Sequence, residues 1–238
     1  MNTIFSSILL QAGNSTSDGG ASLLKFITGG GIIGYIIVVL SVVALAFVIM
    51  HFVQIRRTAL IPADRVTALR EIVERGDLEG ALEYSALPAN DCYYLRVVGA
   101  GIKRFLRSPF GAFEIKGAME EAGAEETAKL YRTMDVIATI GSVAPLLGLL
   151  GTVQGMIGAF DTVAAGASNN ANYYEALAAN IAIALITTFQ GLVVAIPCVS
   201  IYGYLRNRVD ALAGECAANA EEIVTLVERG ARKGGKDS

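Results

Sequence analysis

The polar side chains that draw notice stand inside long apolar stretches. Residues 136–160 read VIATIGSVAPLLGLLGTVQGMIGAF and contain no Asp, Glu, Lys or Arg, yet they hold Ser142, Thr152 and Gln154. Residues 176–205 are equally free of charge and hold Thr187, Thr188, Gln190 and Gly191. A hydroxyl in such a helix costs little, because it bonds back to its own backbone. The ordinary reading of any one of them is glue between helices or such back-bonding. Hydrolytic and redox chemistry find no comparable support. His51 is the sole histidine, and it lacks the partners a general base needs. There is no GxSxG, P-loop or HExxH motif, and the glycines between 148 and 151 lie in an apolar run where they cannot cradle phosphate. Cys92, Cys198 and Cys216 are far apart, odd in number and without a CxxC, which excludes a disulfide framework and argues against a zinc site. They read as small buried hydrophobes. No enzymatic group, metal or cofactor is therefore expected.

The elements that must carry these hydroxyls are membrane helices. The chain has 238 residues, 53% hydrophobic and 17% charged, with a mean hydropathy of +0.52. Soluble domains carry about 25% charged residues. A net charge of −3 argues against a general nucleic-acid binder. Residues 26–55 form a third charge-free run, most apolar over 32–53. Roughly 20 apolar helical residues cross a bilayer, so each of the three runs is long enough.

Basic residues set the orientation. One lies in residues 1–31, twelve in 54–132, none in 161–175 and six in 206–238. The positive-inside rule then gives a periplasmic N-terminal segment (1–31), spans at 32–53, 133–160 and 176–204, a cytoplasmic helical domain (54–132), a periplasmic loop (161–175) and a cytoplasmic C-terminal helix and tail (205–238). The first span reads as a plain lipid-facing segment, and His51 as an interfacial side chain at its end. Residues 4–9 suggest a short interfacial helix. In the cytoplasmic insert, Val66, Leu69, Ile72 and Val73 repeat at helical spacing until Gly76–Asp77 interrupts them. Leu95, Val98, Ile102, Phe105 and Leu106 form another stripe, closed at Ser108–Pro109. No breaker separates residues 113–134 from the second span, so one long helix is predicted there. Beyond the third span, Leu205, Val209, Leu212, Cys216, Ile223 and Leu226 make a coiled-coil-like stripe, which fits a seam between subunits as well as packing on the chain's own helices.

Small residues and hydroxyls concentrate in spans two and three, so these face protein or a pore. Gly151 and Gly155 make a small-xxx-small step, and Gly148 and Gly191 extend the small-residue surface. Asp161 and Glu175 stand at the outer ends, where a ring of subunits would turn them into a carboxylate rim at a periplasmic mouth.

APLLGLLGTVQGMIGAF (144–160) and ALITTFQGLVVAIP (184–197) resemble the proton-channel family that includes ExbB, TolQ and MotA, with ExbB the nearest type, and GDLEGAL (76–82) resembles the cytoplasmic region of ExbB relatives. The resemblance covers residues from about 30 to 229. It implies an all-α membrane protein assembled as a homopentamer in the bacterial inner membrane, spans two and three lining a pore and extending into the cytoplasm. It implies an ExbD-like dimer inside the pore, whose membrane Asp carries protons, and a TonB-like protein that delivers work to the outer membrane. Thr152 and Thr188, with Thr187 beside them, match the pore threonines; Pro145 and Pro197 fall where the family bends its helices; Asp135 becomes a candidate cytoplasmic exit. One departure stands out. Many ExbB and TolQ sequences carry a membrane Glu five residues before the third-span threonine, and here that position is Ile183. The titrating group then comes from the partner. A TolQ-like or motility stator subunit, and a non-conducting scaffold, are the alternatives.

Overall fold

The computed structural model describes residues 28–108, 111–164 and 171–234, and every regular element among them is helical. Three helices are long and apolar enough to cross a membrane. They are α1 (Gly31–Gln54), α6 (Gly111–Ala164) and α7 (Ala171–Gly234). Between α1 and α6 come α2 (Arg57–Leu60), α3 (Ala63–Glu74), α4 (Leu78–Ala86), a 3₁₀ turn at Pro88–Asn90 and α5 (Tyr93–Arg107). The suggested helix at residues 4–9 lies outside the described residues.

The chain divides into two compact units. One takes residues up to Ala46 with Ile137–Ser200, the other Phe47–Val136 with Ile201 onward. The apolar unit is inside-out by the standards of a soluble protein. Leu146, Leu149, Phe160, Leu185, Phe189 and Ile196 are all more than half exposed, which is expected where the surroundings are lipid rather than water. Helix α1 buries one stripe in this unit, Ile33, Ile37 and Ala44, and exposes Ile32, Val39 and Leu45. Its N-terminus opens at Gly31, whose φ of +59° favours glycine. Span one, read as plain and lipid-facing, is the least buried of the three, with one exception. Its N-terminal end carries a notch of Gly30 and Gly34, four apart, filled by the Gln190 side chain of α7.

The charged unit is a helical cluster. Helix α3 ends at Gly76 (φ +81°), with Gly76 N–H donating to Val73 O and Asp77 N–H to Ile72 O. This pair satisfies two terminal carbonyls. Asp77 then caps α4 by accepting from Gly80 N–H at 2.8 Å. Helix α5 packs its Gly99 against Ser85 of α4 and its Gly101 against Met119 of α6. Tyr94, Leu95, Val98 and Ile102 are fully buried, and burial raises the Tyr94 phenol above its ordinary pKa. Arg57 pairs with Glu215 of α7, its Nε donating at 2.7 Å, and that bond raises the guanidinium pKa. The stripe on α7 is satisfied within the chain: Leu205, Val209, Leu212, Cys216 and Ile223 are buried. Cys92, Cys198 and Cys216 are buried free thiols. His51, near the end of span one, is 1% exposed, with Nε2 3.0 Å from the Thr133 carbonyl oxygen. An imidazole turned inward to a carbonyl satisfies a polar atom that lipid would leave unpaired.

Candidate ion pathway

Within the apolar unit, glycine sets the seam between α6 and α7. Gly141 abuts Cys198 and Val199, Gly148 abuts Thr187 and Thr188, and Gly155 abuts Asn180 and Ala184. The contacts climb one helix as they descend the other, so the pair is antiparallel. A Cβ added at Gly148 would stand 3.0 Å from Thr188 Cα, at Gly155 2.7 Å from the Asn180 carbonyl oxygen, and at Gly191 2.6 Å from the Ala144 carbonyl oxygen. These neighbours are backbone atoms. Any side chain here would push the helices apart, which is how small residues allow close approach in a membrane.

The hydroxyls lie along this seam in three different settings. Thr187 is fully buried and pressed against Gly151. Its Oγ1 shares a hydrogen between the carbonyls of Ala184 (2.9 Å) and Ile183 (3.1 Å). Thr188 is half-buried, and its Oγ1 donates across the seam to the Gly148 carbonyl at 3.2 Å. Thr152 is half-buried and donates to Leu149 O at 2.6 Å. In an α-helix the carbonyl of residue 148 also receives the amide of residue 152. The two hydroxyls thus sit on successive carbonyls of α6, Thr188 on that of Gly148 and Thr152 on that of Leu149. Each hydroxyl oxygen keeps a lone pair with which to accept from water or from a protonated carboxyl.

The remaining candidate residues fall around this pair. Pro145 and Pro197 sit inside unbroken helices. Having no N–H, each removes one helical hydrogen bond, to the carbonyl four residues earlier. Just before Pro145, Ser142 Oγ bonds to Ala138 O and Thr139 O, both at 3.0 Å. Ile183 packs toward span one; its Cγ2 lies 3.8 Å from where a Cβ on Gly31 would be. Asp161 and Glu175 are exposed near the ends of α6 and α7, and the seam nearby closes with Asn180 Nδ2 donating to Thr162 Oγ1 at 3.3 Å. Asp135, in the charged unit, is exposed and accepts from the Tyr202 hydroxyl at 3.5 Å.

Sequence reasoning named Gln190 but passed over the glycine notch it fills. Gln190 is 5% exposed, and its Oε1 lies 2.5 and 2.7 Å from the positions a Cβ would take on Gly30 and Gly34. The spacing of those two glycines was the available signal.

Residues 96–217 match the MotA/TolQ/ExbB proton channel family. The chain belongs to that family. As a member of the MotA/TolQ/ExbB family it is 28% identical to a biopolymer transport protein ExbB homolog of Methanothermobacter thermautotrophicus over 190 residues, 79% of this chain and 64% of the relative. It is 31% identical to the ExbB of Aquifex aeolicus over 163 residues, 64% of this chain and 97% of the relative. It is 32% identical to the Tol-Pal system protein TolQ of Pseudomonas aeruginosa over 150 residues, 60% of this chain and 64% of the relative. The chain spans 44% of the ExbB of Xanthomonas campestris and 64% of the Methanothermobacter homolog, less than two thirds of each.

Proposed function

We propose that this family member is the ring-forming subunit of an inner-membrane motor that turns proton flow into work on the outer membrane, as in TonB-dependent import. The observation that carries the reading is the placement of the Thr188 and Thr152 hydroxyls on the successive carbonyls of Gly148 and Leu149, at a seam held at backbone contact. A pentamer would place five such pairs around a central space. An ExbD-like dimer would occupy that space, and its membrane Asp would exchange protons beside the hydroxyls. An ionised carboxylate at mid-bilayer costs several kcal/mol unless water or donors solvate it, so the threonine oxygens act on the protonated acid, accepting its O–H. With Ile183 on the ring, the partner's acid is the titrating group. The N-terminus faces the periplasm and the C-terminus the cytoplasm, as the basic residues require. Asp161 and Glu175 then stand at the periplasmic mouth and Asp135 at the cytoplasmic exit.

Co-purification with the partner and reconstitution in liposomes test the reading. Thr152→Val and Thr188→Val keep shape and lose the hydroxyl; both should abolish proton flux while native mass spectrometry still counts five subunits. Wild-type flux in both variants sinks the pore assignment. The likeness to a TolQ over 60% of the chain supports a second reading, a Tol-type motor for envelope maintenance. The partner that co-purifies separates the two.

A further inference from the structure

In the charged unit, α6 and α7 bound a groove of about 770 Å³. Its walls are small residues: Gly123, Ala124 and Ala128 on α6, Ala213, Ala217 and Ala220 on α7. Contiguous apolar surface on a charged, water-facing unit marks a docking surface. The polar atoms inside are already satisfied. The Tyr93 hydroxyl lies 3.2 Å from the Gly123 carbonyl oxygen and 2.8 Å from Thr127 Oγ1, and the Tyr131 hydroxyl donates to Asp210. The interior therefore selects by shape, and charge selects at the rim. There stand Lys116, Glu120 and Glu221. Lys116 pairs with Glu221 at 3.8 Å, and Glu120 joins no ion pair among the described residues. Acid outnumbers base, so the mouth favours a cationic occupant over an anionic lipid head.

The same unit carries a surface of that chemistry. Outside the apolar runs it exposes two large hydrophobic side chains among the described residues, Leu87 and Leu106. Leu87 stands four residues from both Glu83 and Asp91. Leu106 instead shares one side of α5 with Lys103 and Arg107. Neither base joins an ion pair among the described residues, whereas Arg104 is held by Glu114 at 2.9 Å. This edge and the groove lie on largely opposite sides of α6. At 100° per residue, Glu120, Ala124, Thr127 and Tyr131 face the groove. Ala118, Glu121, Ala122 and Glu125 face the other way, where they line a smaller recess with Lys103, Arg104 and Arg107. The bases outnumber the acids in that recess, and Glu125 is held by Lys129 at 3.0 Å. The edge is thus turned away from the chain's own groove.

We propose that the groove receives the α5 edge of a second copy of this chain. Leu106 of that copy seats against Ala124 and Ala217, and its Lys103 and Arg107 meet Glu120 and Glu221. The proposal rests on the ring-forming reading above and gives that ring a contact outside the apolar spans. One leucine does not fill the groove; the aliphatic stems of Lys103 and Arg107 cover the remaining small-residue wall while their charges stay at the rim. The rim pairs are exposed, so they set register and partner choice more than affinity. Edge and groove are different patches of one surface, which makes the contact head-to-tail. Contacts of that kind build rings when the rotation between copies closes.

The test uses the full chain purified in detergent. Copies carrying Leu106→Cys alone and copies carrying Ala124→Cys alone, told apart by tags and co-expressed, are treated with a mild thiol oxidant. A disulfide between unlike copies is expected, and none from the unsubstituted chain, whose thiols at Cys92, Cys198 and Cys216 are buried. A second pair, Lys103→Cys with Glu221→Cys, reads the same contact from the rim. All four positions are exposed, so the folded unit tolerates the changes. Added to the first pair, Lys103→Glu with Arg107→Glu should abolish the crosslink. Further addition of Glu120→Lys and Glu221→Lys should restore it, a rescue that a misfolded unit would not show. Absence of crosslinks in both pairs, with native mass spectrometry still counting several subunits, overturns the docking and leaves the ring standing. Leu106→Cys copies that join each other would reveal a two-fold contact and overturn it too. An unsubstituted chain that stays single removes the ring reading, and this contact with it.

Discussion

Replacing Gly191 by Ala asks directly whether α6 and α7 are held at backbone contact. The new methyl would lie 2.6 Å from the Ala144 carbonyl oxygen and 3.3 Å from the Gly148 Cα. Carbon contacts settle near 3.5 Å, so the helices must part by roughly half an ångström or more at this level. Overpacking of this kind costs about 1–3 kcal/mol. The same substitution also raises helix propensity by up to ~1 kcal/mol, so a matched control is needed. Gly203 on the same helix has nothing within 4 Å of its would-be Cβ, and Gly203→Ala should collect the propensity gain alone. The two alanine variants should differ by about 1–3 kcal/mol, or roughly 2–12 °C in melting for a chain of this size. Thermal challenge in detergent, followed by size-exclusion of the surviving protein, reads the difference. A Gly191→Ala protein that survives heating as well as Gly203→Ala refutes the close-seam argument.

Other outcomes follow from separate parts of the chain. The Gly30→Ala/Gly34→Ala double variant fills the notch that holds Gln190 and should expose α1 to crosslinking while α6 and α7 stay paired; unchanged crosslinking counts against the notch. The Tyr94 hydroxyl is buried without a hydrogen-bond partner among the described residues, so Tyr94→Phe should raise stability by about 1 kcal/mol, and a lower melting temperature would reveal a missed partner. A reporter fused after Ser238 should read cytoplasmic and one inserted near Asn170 periplasmic; the reverse pattern would invert the orientation.

The spans were legible because a bilayer excludes charge over a fixed length. The first, predicted over 32–53, forms a helix over Gly31–Gln54. The run without breakers from 113 into span two forms a single helix, Gly111–Ala164. Gly151 and Gly155 showed where helices meet, and both lie on the α6/α7 seam. Which hydroxyl turns inward was not legible. Thr187 and Thr188 are adjacent and chemically identical, and the 100° between them puts the first against Gly151 and lets the second reach the Gly148 carbonyl. The docking of α1 on Gln190 was equally hidden, because periodicity describes one helix and not the choice of neighbour. The stripe from Leu205 to Ile223 showed a contact surface without its owner, and packing within the chain supplies it.

The grip of Gln190 on Gly34 carries a consequence for biogenesis. At ~5–20 residues per second, the ribosome needs roughly 8–30 s to travel the ~150 residues between them. For that interval the first helix waits among lipids with its eventual neighbour still unmade. It has to be a competent passenger alone, which accounts for its nearly unbroken aliphatic face. The later pair can zip together within moments of translation, and that haste is what lets them smuggle threonine, serine and asparagine across the hydrocarbon.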